Sequence, residues 1–156
     1  VRTCDVTDPK AVLDVLAVTG PVHRVVHAAV TAPPGSALEQ PPAEVKQVLD
    51  TDVYGTMHVV RATLPGMLER GAGELVLCAP PPRAGAAAAA SGAVAAYAEA
   101  LFREYGGRGV TIRCVHQDGA APRPLLDALD RSLARPPGDL HVRAGHGRPG
   151  LLQGLR

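Results

Sequence analysis

The side chains that could do chemistry are few and thinly spread over 156 residues. Four carboxylates fall in two pairs, Asp5/Asp8 and Asp50/Asp52, a residue type suited to acid and base work when its surroundings tune its pKa. Asp8, however, stands directly before Pro9, the arrangement of a helix N-cap followed by proline at the first helical position. Asp50 reads as a solvated helix residue. A serine nucleophile would have to be Ser36, Ser91 or Ser132, and none lies in Gly-x-Ser-x-Gly. His23 and His27 fall on one face of a strand but about 13 Å apart, too far to share a metal. With His141 and His146 read as part of a loose tail, no metal site is expected. Cys4, Cys78 and Cys114 are scattered and odd in number, which predicts free thiols in a reducing, cytoplasmic setting.

The elements that must position these residues alternate. Val1–Val6 reads as a short strand, Pro9–Val18 as a helix stopped by Gly20-Pro21, and Val22–Ala29 as a buried strand. The longest helical pattern runs from Ala43 to Arg70, with Val45, Val48, Leu49, Val53, Thr56, Val60 and Leu64 at helical spacing. Pro65 is expected to kink it or end it. A strand over Glu74–Ala79 follows, then an alanine-rich helix over Ala84–Tyr105. After these come a strand at Val110–Val115, a helix at Pro124–Ala134 and a short strand at Leu140–Val142. Strand–helix alternation of this kind predicts an α/β fold, a three-layer α/β/α sandwich with a mostly parallel sheet. The domain is expected over residues 1–144, followed by a loose glycine-rich tail over residues 145–156.

Composition excludes several partners. Charges nearly cancel at +1, and aromatic residues amount to 3% of the chain, so neither a polyanion-binding surface nor a base-stacking platform is indicated. The arginines near the C-terminus form no dense run, and no nucleic acid is expected. No apolar stretch reaches the roughly 18 residues of a membrane helix, and no membrane partner is expected.

The landmarks Cys4-Asp5-Val6, Val25-Val26-His27-Ala28-Ala29-Val30, Asp52-Val53-Tyr54-Gly55, Leu64-Pro65-Gly66-Met67-Leu68, Gly73-Glu74-Leu75-Val76-Leu77 and Gly109-Val110-Thr111-Ile112 come in a telling order. That series resembles the short-chain dehydrogenase/reductase family over about Cys4 to Gly119. The resemblance implies a Rossmann-like domain, NAD(P) as cofactor and an oxidoreductase ancestry. It also implies Asp5 and Val6 at the adenine and Ala28 and Ala29 against the cofactor, with Val30 where the family carries a glycine. The family's relay asparagine corresponds to Asp52, which accepts but does not donate a hydrogen bond when ionised. Its substrate-holding serine corresponds to Pro80, and its Tyr-x-x-x-Lys pair to Ala87 and Ser91.

Those replacements remove the reaction chemistry, because a tyrosine acidified by a lysine is what exchanges a proton with the substrate oxygen. No lysine follows Lys46 anywhere in the chain. The family's opening strand, glycine turn and helix have no counterpart before Asp5, so the chain reads as N-terminally truncated. The expectation is a pseudoenzyme: related to NAD(P)-dependent oxidoreductases, inactive by itself, and serving as a partner subunit or standing as a remnant. The alternatives are an incomplete piece of an active carbonyl reductase or alcohol dehydrogenase, and a small ligand-binding module. The resemblance also implies a homo-oligomer, or a heteromer with an active relative, through residues 43–70 and 84–105. Ala95, Ala96, Ala98, Leu101 and Phe102 would form the seam.

Overall fold

In the computed structural model a continuous apolar strand lies between two helical layers, as burial on both faces demands. The structure describes residues 2–31, 33–82, 85–117, 122–134 and 138–144. Four strands, β1 (Arg24–His27), β2 (Gly73–Ala79), β3 (Val110–Gln117) and β4 (His141–Ala144), form one sheet in the order β1-β2-β3-β4. Every pairing is parallel, with Val26 opposite Val76, Leu77 opposite Cys114 and His116 opposite Arg143. Parallel neighbours need helical crossovers, and the intervening chain supplies them. These are α2 (Pro42–Val48), a π-helical turn (Leu49–Tyr54) and α3 (Gly55–Arg70) before β2, α4 (Ala86–Tyr105) before β3, and α5 (Pro122–Leu133) before β4. The first helix, α1 (Pro9–Thr19), packs against α3 and starts at Asp8, whose Oδ1 accepts the Lys10 amide at 2.8 Å.

The main core lies between the sheet and α3/α4. Val60, Leu64 and Met67 of α3 and Val94, Ala98 and Leu101 of α4 meet Leu75, Leu77, Ile112 and Cys114. Each large aliphatic side chain buried this way contributes about 1.5–3 kcal/mol. On the opposite face Val76, Cys78, Val115 and Val142 lie under Ala128 of α5. Leu75 to Ala79 are therefore apolar without alternation, because both faces of β2 are covered. The second layer stops short of β1, whose Val26 remains 43% exposed.

Several expectations are corrected. Residues 2–5 form no strand and do not pair with β1, so the free edge of β1 is not closed from within the described residues. Only Arg24–His27 of the expected Val22–Ala29 run is a strand. Pro65 does not end α3, which continues to Arg70. The proline removes one amide donor, and the carbonyl that loses it belongs to Arg61, an exposed residue whose backbone water can reach. Ala98 and Leu101, expected in an intermolecular seam, face the sheet and are buried in this chain's own core. His141, expected in a loose tail, lies in β4. The glycine-rich tail over residues 145–156 lies outside the described residues.

Candidate functional site

In a parallel α/β sheet the loops leaving the carboxyl ends of the strands are where ligands are held. Here that edge gathers the end of β1, the end of β2, the start of α4 and the π-helical turn. The turn makes i→i+5 bonds, with the Gly55 amide donating to the Asp50 carbonyl. Such turns insert an extra residue and re-aim side chains, often at functional sites. What it aims is Asp52, which is 1% exposed. Gly55 is required just beyond, since a Cβ there would stand 2.7 Å from Val6 Cγ2.

Asp52 Oδ1 accepts the Thr31 amide at 2.7 Å and the Thr31 hydroxyl at 3.1 Å, which ties the loop after β1 to the helix. Its Oδ2 is buried with no hydrogen-bond partner among the described residues. Loss of hydration raises the pKa of this carboxyl, and the two Thr31 bonds offset part of the rise. A neutral carboxyl would turn the lone oxygen into a donor, as the side-chain amide of an asparagine is. His27, at the last position of β1, is 6% exposed and its Nε2 also has no partner. Burial pushes its pKa down to about 4, so the ring is neutral at pH 7. Gln117 Nε2, at the end of β3, is a third buried and unpartnered polar atom. Sequence reading named Asp52, weighed His27 only as a metal ligand with His23, and passed over Gln117, because only burial distinguishes these polar atoms from ordinary surface ones.

The start of α4 is held from a distance. Its N-cap, Gly85, has φ 64° and ψ −139° and supplies no side-chain cap. Gln40 does so instead: it is 7% exposed, its Oε1 accepts the Ala86 amide at 2.8 Å, and its Nε2 donates to the Pro33 carbonyl at 3.5 Å. Behind this cap lie Ala87, 1% exposed, and Ser91, 7% exposed. Pro80, which follows β2, is also fully buried. Tyr97, the single tyrosine early enough in α4 to be considered, sits ten residues beyond Ala87 and packs against the core. Burial raises its pKa, the opposite of what proton exchange at neutral pH requires.

The positions matched to a dinucleotide's adenosine end present an open surface. Asp5 is exposed, but its Oδ1 is occupied by the amide (2.9 Å) and hydroxyl (2.8 Å) of Thr7, bonds that hold its pKa below the usual carboxylate value. It borders an open groove of about 400 Å³ with Thr7, Lys46, Asp50 and Thr51. The Val6 carbonyl accepts from His58 Nδ1 at 3.0 Å. Ala28 is exposed and Ala29 half-buried, small residues that leave room for a ligand. The positions that the resemblance matches to the reacting set carry no proton-transfer group. Pro80 and Ala87 offer no side-chain hydrogen bond, Ser91 carries no charge, and no hydride-transfer step follows from them.

Residues 1–131 match the family model described as enoyl-(acyl carrier protein) reductase. No curated protein matches significantly. Among solved structures, a short-chain dehydrogenase from Streptomyces avermitilis superposes with a TM-score of 0.78 at 24% identity, over 93% of this chain and 70% of that one. A 3-oxoacyl-[acyl-carrier protein] reductase from Brucella melitensis, solved with bound NAD, gives 0.75 at 22% identity, over 92% of this chain and 69% of that one. A serine dehydrogenase from Escherichia coli gives 0.76 at 21% identity, over 90% and 73%.

Proposed function

The chain belongs to the short-chain dehydrogenase/reductase family, and from that premise we propose that it is a non-catalytic member, acting through association rather than turnover. The observation that carries this reading is the replacement of the reacting set: Pro80, Ala87 and Ser91 fill the matched serine, tyrosine and lysine positions, and all three are buried. NAD(P) is the cofactor class of the ancestry, and Asp5, Val6, Ala28 and Ala29 are the residues that would meet its adenosine end. Without the reacting set, any such binding is a structural or regulatory contact.

Association is favoured by what this chain leaves open. Among the described residues one edge of β1 is unpaired, Val26 is 43% exposed beside it, and Leu13 and Val18 of α1 are 56% and 59% exposed. An apolar strand edge of this kind is a pairing template that proteins normally cover. A second copy of this chain, or an active relative, is the occupant proposed. A ligand-binding role is the second reading, favoured by the unpartnered buried atoms of His27, Asp52 and Gln117.

The test is a titration of the purified chain with NADH and NADPH, followed by nicotinamide fluorescence and by carbonyl-dependent cofactor oxidation. The expected result is no oxidation, with the chain sedimenting as an oligomer or co-purifying with an intact dehydrogenase. Oxidation by the chain alone overturns the non-catalytic reading. A stable, soluble monomer overturns the association reading.

A further inference from the structure

Three side chains converge at the β3–β4 edge of the sheet, away from the cleft. Cys114 and His116 are two apart on β3 and so project from the same face. His141 is the Cα partner of Cys114 on the neighbouring parallel strand and joins them on that face. One ring nitrogen of each histidine and the Cys114 Sγ all lie within 4.8 Å of one another. His116 Nε2 stands 2.8 Å from His141 Nδ1, and the ring centroids are 5.0 Å apart. A second element contributes independently: Glu99 Oε1 on α4 lies 3.3 Å from His141 Nε2. With its Nε2 proton donated to that carboxylate, His141 presents Nδ1 as an acceptor towards His116 and Cys114. Carboxylates oriented on the outer nitrogen of a histidine are the usual support of a metal-ligating imidazole.

We propose that Cys114, His116 and His141 bind a single Zn²⁺ ion, with Glu99 as the positioning residue for His141 and the fourth coordination position open to solvent. One sulfur and two imidazole nitrogens suit a borderline-soft divalent ion and disfavour Mg²⁺ and Ca²⁺, which take oxygen ligands. Tetrahedral bonds of about 2.0–2.1 Å to nitrogen and about 2.3 Å to sulfur place the ligand atoms roughly 3.3–3.6 Å apart. The two rings therefore open slightly and the sulfur contacts close. The His141 side chain is 42% exposed, so its ring can turn without disturbing the core, while Cys114, wholly buried, is the fixed anchor. Binding breaks the Cys114 S–H bond, forms the sulfur–zinc bond and releases that proton to solvent; His116 gives up the Nε2 proton it donates to His141 Nδ1 in the metal-free site and takes its other tautomer, protonated on Nδ1. Burial holds the metal-free thiol at a pKa of about 12, and a coordinated cation removes that proton outright. Among the described residues β4 pairs with β3 alone, and the site ties these two strands together.

The test uses the full chain in a Cys4→Ser background, reduced and free of chelator. It is titrated with Co²⁺ for its spectrum and with Zn²⁺ against a chromophoric chelator for affinity. One Co²⁺ per chain with a thiolate-to-cobalt charge-transfer band supports the site. Glu99→Gln is expected to keep that band while weakening Zn²⁺ about 10–100-fold. His116→Ala and His141→Ala, on accessible rings, are expected to lose more than that, and they decide the matter if Cys114→Ser fails to fold. Absence of binding at millimolar metal overturns the proposal. Binding with an imidazole-only spectrum, or binding indifferent to both histidine substitutions, overturns it equally.

Discussion

Replacing Gly85 with alanine probes the joint that holds the start of α4. The backbone there has φ 64° and ψ −139°, a region that L side chains adopt at a cost of about 1–3 kcal/mol. The new Cβ would stand 2.1 Å from Gln40 Oε1, so the amide that caps Ala86 must be displaced. Losing a cap costs about 1 kcal/mol, which brings Gly85→Ala to about 2–4 kcal/mol. Gln40→Ala alone removes only the cap and is expected to cost about 1 kcal/mol. In the double variant the cap is lost once rather than twice, so the two changes are sub-additive by about 1 kcal/mol. Urea unfolding checks this through the midpoint at unchanged slope. A cost for Gly85→Ala below about 0.5 kcal/mol, or strict additivity, would refute the claim that Gln40 holds this helix end.

His27 and Asp52 give opposite pH signatures. The folded-state pKa of His27 is depressed from 6.5 to about 4, so its contribution is fully present above pH 6.5 and is lost as pH falls towards 4. That loss amounts to about 3 kcal/mol, and His27→Leu is expected to remove it from the acid limb of a stability–pH curve. Asp52 is raised, so its penalty is fully present at neutral pH and relaxes as pH falls through the folded pKa. Asp52→Asn is expected to stabilise at pH 7 and to lose that advantage in acid, as read by thermal unfolding at each pH. Glu74 bridges Arg24 (2.7 Å) and the buried Arg113 (3.4 Å). Glu74→Leu removes one partner of a buried guanidinium that keeps its bond to the Asp139 carbonyl, and is expected to cost about 1–3 kcal/mol; Arg24→Ala is expected to cost much less because Arg24 is exposed, and urea midpoints compare the two.

The architecture was legible because its signals are local. The Gly73–Ala79 run is a strand over those residues, and the Asp8-Pro9 cap starts α1 where the sequence places it. Pro65 misleads as a helix stop because the cost of its missing donor falls on an exposed turn, which composition does not reveal. Ala98 and Leu101 look like partner-facing residues until the sheet takes that face of α4. At the site, Asp52 could be found by its place in the landmark series. The partnerless state of His27, Asp52 and Gln117 could not, since orphaned atoms are defined by what surrounds them.

By itself the sequence determined the alternation of strands and helices and the family, for these depend on order and spacing along one chain. Tertiary structure alone decided which residues meet. Gln40 reaches the start of α4 across 46 positions of sequence, and Cys114 meets His141 across a strand pairing. Such contacts depend on crossover paths and strand register, which arise from burying both faces of a sheet at once and leave no periodic trace in the sequence.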